Sequence, residues 1–218
     1  GSSMYRVLYS SEVSTLNYLT TATTNEYQIG ANVIDTLVEY DNFANLQPGL
    51  ATEWSYDEAS MTWTFTLREG QKWVDHTGAA VADVTAQDFV DAMAYVLDPA
   101  NNSATASNLF GTIKNAEEYY NGLAGEEGAA KIDFSEVGVK ALDEHTLQYT
   151  LADQVPYFLS MLTYVCFMPA YGPQLEEQGG SFGTTAESMY YCGAYYISRY
   201  EPQVQMVLTK NGSNWDAE

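Results

Sequence analysis

The sequence predicts a mixed α+β fold in which strands, hairpins and helices are interleaved, and three stretches carry that reading. In Met61-Thr62-Trp63-Thr64-Phe65-Thr66-Leu67 every second residue is large and apolar and every intervening one is Thr. That is the period of a strand with one buried face. Thr85-Ala86-Gln87-Asp88 resembles a capping box, opening a helix whose Phe89, Val90, Met93, Val96 and Leu97 make one apolar stripe. Val137 to Leu142 and Thr146 to Leu151 alternate across Asp143-Glu144-His145, the pattern of a β-hairpin. Hairpins between helices argue against a doubly wound parallel sheet.

The remaining elements follow along the chain. Residues 5–9 alternate as a short strand. Thr23-Thr24-Asn25-Glu26 supplies capping oxygens and a first-turn acid for a helix carrying Ile29, Val33, Ile34, Leu37 and Val38. Asp98-Pro99 ends the second helix, because the residue before proline avoids the helical region. Residues 100–130 form a surface excursion with a short helix around Ile113 to Asn121. Pro156 suits an N1 position for a helix over Tyr157 to Leu162. Ala194 to Tyr200 and Val204 to Lys210 pair across Glu201-Pro202. No repeat or linker divides the chain.

Composition narrows the function classes. Hydrophobic residues make up 46% of 218 and aromatics 14%, so the chain collapses around a core rather than staying disordered. Eight Lys and Arg against 29 Asp and Glu give a net charge of −21, which sets aside nucleic acid and anionic lipid as general partners. Residues 154–175 are uncharged, but Pro156, Pro169 and Pro173 interrupt them, so they read as core rather than a membrane span. Gly1-Ser2-Ser3-Met4 resembles an expression remnant, so a native export signal is expected to have been removed. Cys166 and Cys192 are too few for a disulfide scaffold; they either pair, as an oxidising compartment permits, or stay buried as small hydrophobes.

The usual signatures of chemistry are missing. His76 and His145 both sit in turn contexts, and no Gly-x-Ser-x-Gly elbow accompanies them. No phosphate loop occurs. Asp41-Asn42-Phe43-Ala44-Asn45 only loosely approaches a calcium loop and reads as a turn. With 29 acids, chance carboxylate pairs identify nothing. Neither catalysis, a metal site nor a cofactor is expected. Tyr190, Tyr191, Tyr195, Tyr196 and Tyr200 cluster around Cys192-Gly193, either as wide amphipathic rings for a peptide or sugar or as a half-buried Tyr-rich strand.

More specific are Gly49-Leu50-Ala51-Thr52-Glu53-Trp54-Ser55, Trp63 through Trp73 with Arg68-Glu69-Gly70-Gln71-Lys72 between, and Val84-Thr85-Ala86-Gln87-Asp88-Phe89. Val139 through Leu147, Val155-Pro156-Tyr157-Phe158, Gly193-Ala194-Tyr195 and Asn211-Gly212-Ser213-Asn214-Trp215-Asp216 follow in order. Together they resemble the extracytoplasmic solute-binding proteins of oligopeptide and dipeptide ABC importers, family 5, over nearly the whole chain from Tyr5 to Asp216.

The resemblance implies the first lobe of a two-lobe, periplasmic-binding-protein-like fold, with a peptide cleft closed by hinge motion and delivery to membrane permease subunits. It implies a base subdomain over residues 4–41 and 176–218, with 42–175 inserted, and an early strand, first helix and last hairpin sharing one sheet. Glu26, with Tyr27 beside it, matches a cleft-facing position where a carboxylate meets cationic groups of a peptide; its plainer role is the helix N-terminal acid. Asn108 and Leu109 match a cleft-lining loop, with Asn108 in place of a frequent Tyr. Tyr191, Cys192 and Gly193 complete the expected ligand-binding set, Cys192 standing where a small polar residue is common. Asp75-His76-Thr77-Gly78 departs from the usual Asp-Gly-x-Pro, which alters only a turn. Sugar or nickel binding by the same fold is the alternative, and from another class a carbohydrate-acting hydrolase or a purely structural surface domain. Localisation would be extracytoplasmic, periplasmic or as a surface lipoprotein. Since the chain stops where this family crosses to its second lobe, self-association through a bared sheet edge is also expected.

Overall fold

A computed structural model describes residues 4–8 and 11–217. Helix α1 (Thr24–Val33) leads into the hairpin β1 (Val38–Tyr40) and β2 (Leu46–Pro48). Next come β3 (Ala51–Asp57), β4 (Thr62–Leu67), β5 (Lys72–Val74) and β6 (Ala80–Asp83), then α2 (Ala86–Val96) and α3 (Ala116–Ala124). β7 (Val139–Asp143), β8 (Thr146–Thr150), α4 (Phe158–Met161), α5 (Gly172–Gln178), β9 (Tyr195–Glu201) and β10 (Gln205–Lys210) complete the order.

The centre is a four-stranded antiparallel sheet ordered β3-β4-β8-β7. Its register explains the alternation of the sequence. Trp54 opposes Phe65, which opposes Leu147; one step along, Tyr56 opposes Trp63, which opposes Tyr149. These residues share one face, since strand side chains alternate with period two. The threonines take the other face, where Gln148 Nε2 donates to Thr64 Oγ1 at 3.0 Å. Helix α2 packs against β7 and β8, while Phe158 and Phe167 meet the rings of Tyr149 and one another edge-on at 5.7 Å. Phe65, Tyr149, Phe158, Phe89 and Phe167 are all fully buried.

Several expected boundaries move. α1 ends at Val33, and the apolar Leu37 and Val38, at helical spacing, are instead buried by the chain turning into the β1–β2 hairpin. Pro156 stands before Tyr157, the N-cap of α4, rather than at N1, and α4 has a single turn. The excursion helix starts at Ala116, not Ile113; Ile113 bridges Leu151 instead. Of the strand expected over residues 5–9, residues 5–8 have no ladder partner among the described residues and are exposed, and Tyr9 lies outside them. The last hairpin is a two-stranded sheet that packs on α1 rather than joining an early strand. Both cysteines are free and buried, so the pairing left open by the sequence is not made. No helix among the described residues is long and apolar enough to cross a membrane.

Candidate functional site

Helix α1 organises the expected ligand-binding residues, some at one end and some at the other, about 15 Å apart at 1.5 Å per residue. At its N-terminal end Glu26 lies in the first turn and is only 4% exposed. One carboxylate oxygen accepts the Ser14 N–H at 2.8 Å, the Ser14 hydroxyl at 2.7 Å and the Thr15 N–H at 3.2 Å; the other accepts the Thr21 hydroxyl. Burial pushes the carboxyl up, but the bonds from Thr21, Ser14 and Thr23 outweigh it and bring it down to about 2. Glu26 thus remains ionised while pinning the loop over residues 14–21 to the helix start.

One residue on, Tyr27 is half-buried, and burial first, then the Cys166 thiol, push its phenol up. Asn108, exposed on the short 3-10 turn Ala106–Leu109, hydrogen-bonds the same thiol, which burial pushes up to about 12. Neighbouring Leu109 is fully buried and contributes to packing alone.

At the other end of α1, Tyr191 and Cys192 are buried, and the Cys192 and Gly193 N–H groups donate to Val33 O at 3.1 and 2.8 Å. A Cβ on Gly193 would stand 2.5 Å from the carbonyl carbon of Val33, so only glycine allows this approach. Tyr191 bridges Val74 and its hydroxyl donates to Ala186 O at 2.6 Å. These residues offer backbone and shape. The tyrosine cluster is accordingly divided: Tyr191 is core, while Tyr195 is 38% exposed.

Sequence reasoning missed Asp35. Its Oδ2 accepts the Asn214 amide at 2.8 Å and the Trp215 indole N–H at 2.9 Å. Asn214 also donates to Cys192 O at 3.2 Å, Asn211 to Gly193 O at 3.0 Å, and the Arg68 guanidinium lies 4.3 Å from the centre of the Trp215 ring. Burial pushes the Asp35 carboxyl up, against the bonds from Asn214 and Trp215. Burial and the charge of Asp35 do the same to Glu39. Asp35, Glu39 and Tyr40 line a cavity of about 170 Å³. One acid just beyond a helix gives no periodic signal of a partner so far along the chain.

The profile described as "Bacterial extracellular solute-binding proteins, family 5 Middle" matches residues 45–218. The chain belongs to this family. Among curated relatives, the oligopeptide-binding protein SarA of Streptococcus gordonii is 34% identical over 217 residues, 99% of this chain and 31% of that protein. The periplasmic oligopeptide-binding protein OppA of Salmonella typhimurium is 32% identical over 192 residues, 88% of this chain and 33% of its own length. The chain thus spans about a third of the length of the relatives it matches. The substrate-binding domain of an oligopeptide ABC transporter from Bacillus anthracis superposes with a TM-score of 0.83 at 29% identity, covering 95% of this chain and 38% of that one. The Haemophilus influenzae OppA solved with the peptide RPPGFSPFR gives 0.80 at 27%, covering 95% and 38%. Family members are extracellular or periplasmic binding proteins, and the fold here is that of one lobe of such a protein.

Proposed function

We propose that this chain is the first lobe of an extracytoplasmic peptide-binding component of an ABC importer, holding its ligand against a second lobe and passing it to permease subunits. The observation that carries the reading is the match of the whole chain to oligopeptide-binding proteins, with a fold match to one lobe of a homologue solved with a peptide. The base is assigned to residues 4–41 and 176–218, with 42–175 inserted; the Tyr200 hydroxyl bond to Val13 O at 3.1 Å ties the two base segments together.

Within this lobe the peptide-facing groups are Tyr27 and Asn108, which offer a phenol and an amide, and the cavity beside Asp35 and Glu39, which offers two carboxylates to a cationic group. Glu26, Leu109, Tyr191, Cys192 and Gly193 support those surfaces from behind. The lobe orients and encloses; it breaks no bond. Self-association of the lobe by itself is a further part of the proposal, through the exposed apolar residues Tyr5, Val7 and Leu8.

Calorimetry tests the reading. If the two-lobe protein binds a peptide at about 1 μM, or about 8 kcal/mol, half of the contacts leave about 4 kcal/mol, near millimolar. Oligopeptides should bind the two-lobe polypeptide in the micromolar range and this chain about a thousandfold more weakly. Micromolar binding to this chain alone, or none to the longer one, overturns it.

A further inference from the structure

The loop over residues 14–21 is anchored at both ends. At one end it hangs on Glu26, whose carboxylate accepts from the Ser14 N–H and hydroxyl, the Thr15 N–H and the Thr21 hydroxyl. A carboxylate has about four lone-pair sites, so these donors fill it, and the buried side chain has no open face for a cation. At the other end the loop meets the excursion after α2: the Ser103 hydroxyl donates to Leu19 O at 2.6 Å and the Ala104 N–H to Thr20 O at 3.0 Å. Between the anchors, buried Asn17 stiffens it. The Asn17 Oδ1 accepts the Leu19 N–H at 3.1 Å, its main-chain oxygen accepts the Thr20 and Thr21 N–H groups at 3.2 and 3.3 Å, and its amide donates to the Tyr95 hydroxyl of α2 at 3.0 Å.

Each anchor stands next to a group that the proposed function turns toward the peptide. Glu26 precedes Tyr27 in the first turn of α1. Ser103 comes just before the 3-10 turn Ala106–Leu109, which carries the exposed Asn108. The Ser103 oxygen accepts the Thr105 N–H at 3.3 Å, and Thr105 O accepts the Asn108 N–H at 3.0 Å. A 3-10 turn of four residues has too few internal bonds to fix its own place, so its position comes from what it is tied to. Buried Ala106 and Leu109 tie it to the core, and Ser103 ties it to the loop. The loop is therefore a strap between the helix start that carries Tyr27 and the turn that carries Asn108.

We propose that Ser103 and Glu26 are positioning residues for peptide binding: acting through the strap, they set the spacing between Tyr27 and Asn108, and neither touches the ligand. The inference rests on the reading in which Tyr27 and Asn108 face the peptide. It assigns Glu26 a role that the charge of the ligand does not enter, because every lone pair of the carboxylate is engaged by the loop. It also brings in Ser103, whose hydroxyl serves both segments at once, giving its proton to Leu19 O and accepting from the Thr105 N–H. Removing either anchor leaves Tyr27 and Asn108 in place as side chains but frees the distance between them, and a ligand that meets both must then restore it at the expense of affinity.

Calorimetry on the two-lobe polypeptide tests this. A library of N-acetylated, uncharged pentapeptides supplies the tightest binder, which is compared with the same peptide carrying one Lys. Glu26→Gln and Ser103→Ala should each weaken the uncharged peptide about tenfold, and the Lys peptide by the same factor. Ser103→Thr, which keeps the hydroxyl, should restore the affinity that Ser103→Ala loses. In an Asn108→Ala background, Glu26→Gln and Ser103→Ala should each cost less than about twofold, the non-additivity of residues that act through one group. The inference fails if Glu26→Gln weakens the Lys peptide alone, which would make Glu26 a ligand contact. It fails equally if either variant costs as much without Asn108 as with it, which would leave the strap a role in stability only. Both of those outcomes leave the proposed function standing, whereas no binding of any library peptide to the wild type overturns the function and the inference together.

Discussion

In the β3-β4-β8-β7 sheet, neighbours meet through rings and branched chains, and the hydrogen bonds that matter run between adjacent backbones. Around α1 the order is reversed: Glu26 holds a loop by four bonds, Asn211 and Asn214 hold the Cys192–Gly193 backbone, and Asp35 holds Trp215 from 180 residues away. Apolar packing is non-directional and tolerates only small shifts before it loses contact, whereas a set of polar bonds can be broken and re-formed with water. Under the proposed function, in which the lobe closes on a ligand, the moving parts come from the second kind.

The largest effect is expected in the sheet. Phe65→Ala removes a fully buried ring that meets Trp54, Trp63 and Tyr149, and should destabilise the chain by about 3–5 kcal/mol in urea unfolding. A cost under about 1 kcal/mol would mean that the sheet face collapses around the gap.

At the α1 end, Glu26→Gln keeps the size but places an amide among donors, and should cost about 2 kcal/mol. The pH dependence has a definite sign. With its pKa brought from 4.5 to about 2, Glu26 contributes stability that is complete above 4.5 and lost as pH falls through about 2. Acid unfolding of Glu26→Gln should therefore lose that part of its slope; an unchanged slope between pH 4.5 and 2 would assign the acid sensitivity elsewhere.

Asp35→Asn should cost less, about 1 kcal/mol, because an amide oxygen still accepts from Asn214 and Trp215. Its signature is the Trp215 indole resonance, which should move while that of Trp73 does not.

The smallest effect belongs to Asp88 in α2, and its sign is opposite to that of Glu26. Burial, against bonds from the Trp73 indole and the Thr85 N–H, raises its pKa to about 6. Its stability contribution is therefore present below its ordinary 3.8 and lost as pH rises through about 6. Asp88→Asn should change stability at pH 4 by under about 1 kcal/mol and flatten the decline toward pH 7.

This contrast also sets how much the sequence could reveal. Thr62 to Leu67, the stripe of α2 and the β7–β8 hairpin are legible because one face of each is buried and the period of apolar residues records it. Asp75-His76-Thr77-Gly78 reads as a turn and is the β5–β6 connection, with Gly78 at φ 83° and Asp75 Oδ1 accepting from the Thr77 and Ala79 N–H groups. The strand expected over residues 5–9 is not formed at residues 5–8, since alternation describes a strand's faces and not whether a partner lies beside it. Leu37 and Val38 continued the helical spacing of α1 by chance of burial in the next hairpin. At the candidate site, Tyr191 to Gly193 were singled out as a segment, but their role lies in backbone groups that no side-chain pattern reports. Asp35 was invisible because a single carboxylate carries no sign of a partner so distant in sequence.

The central claim, that the polar-clamped end is the part of this lobe free to move, is tested most directly by native-state hydrogen exchange resolved by residue. The amides of Phe65, Leu147 and Tyr149 should exchange only by global unfolding. Those of Cys192, Gly193, Asn211 and Trp215 should exchange through a partial opening at least ~1–2 kcal/mol lower in free energy. Exchange of both groups at one common free energy, with one common denaturant dependence, would contradict the account and make the two regions a single cooperative unit.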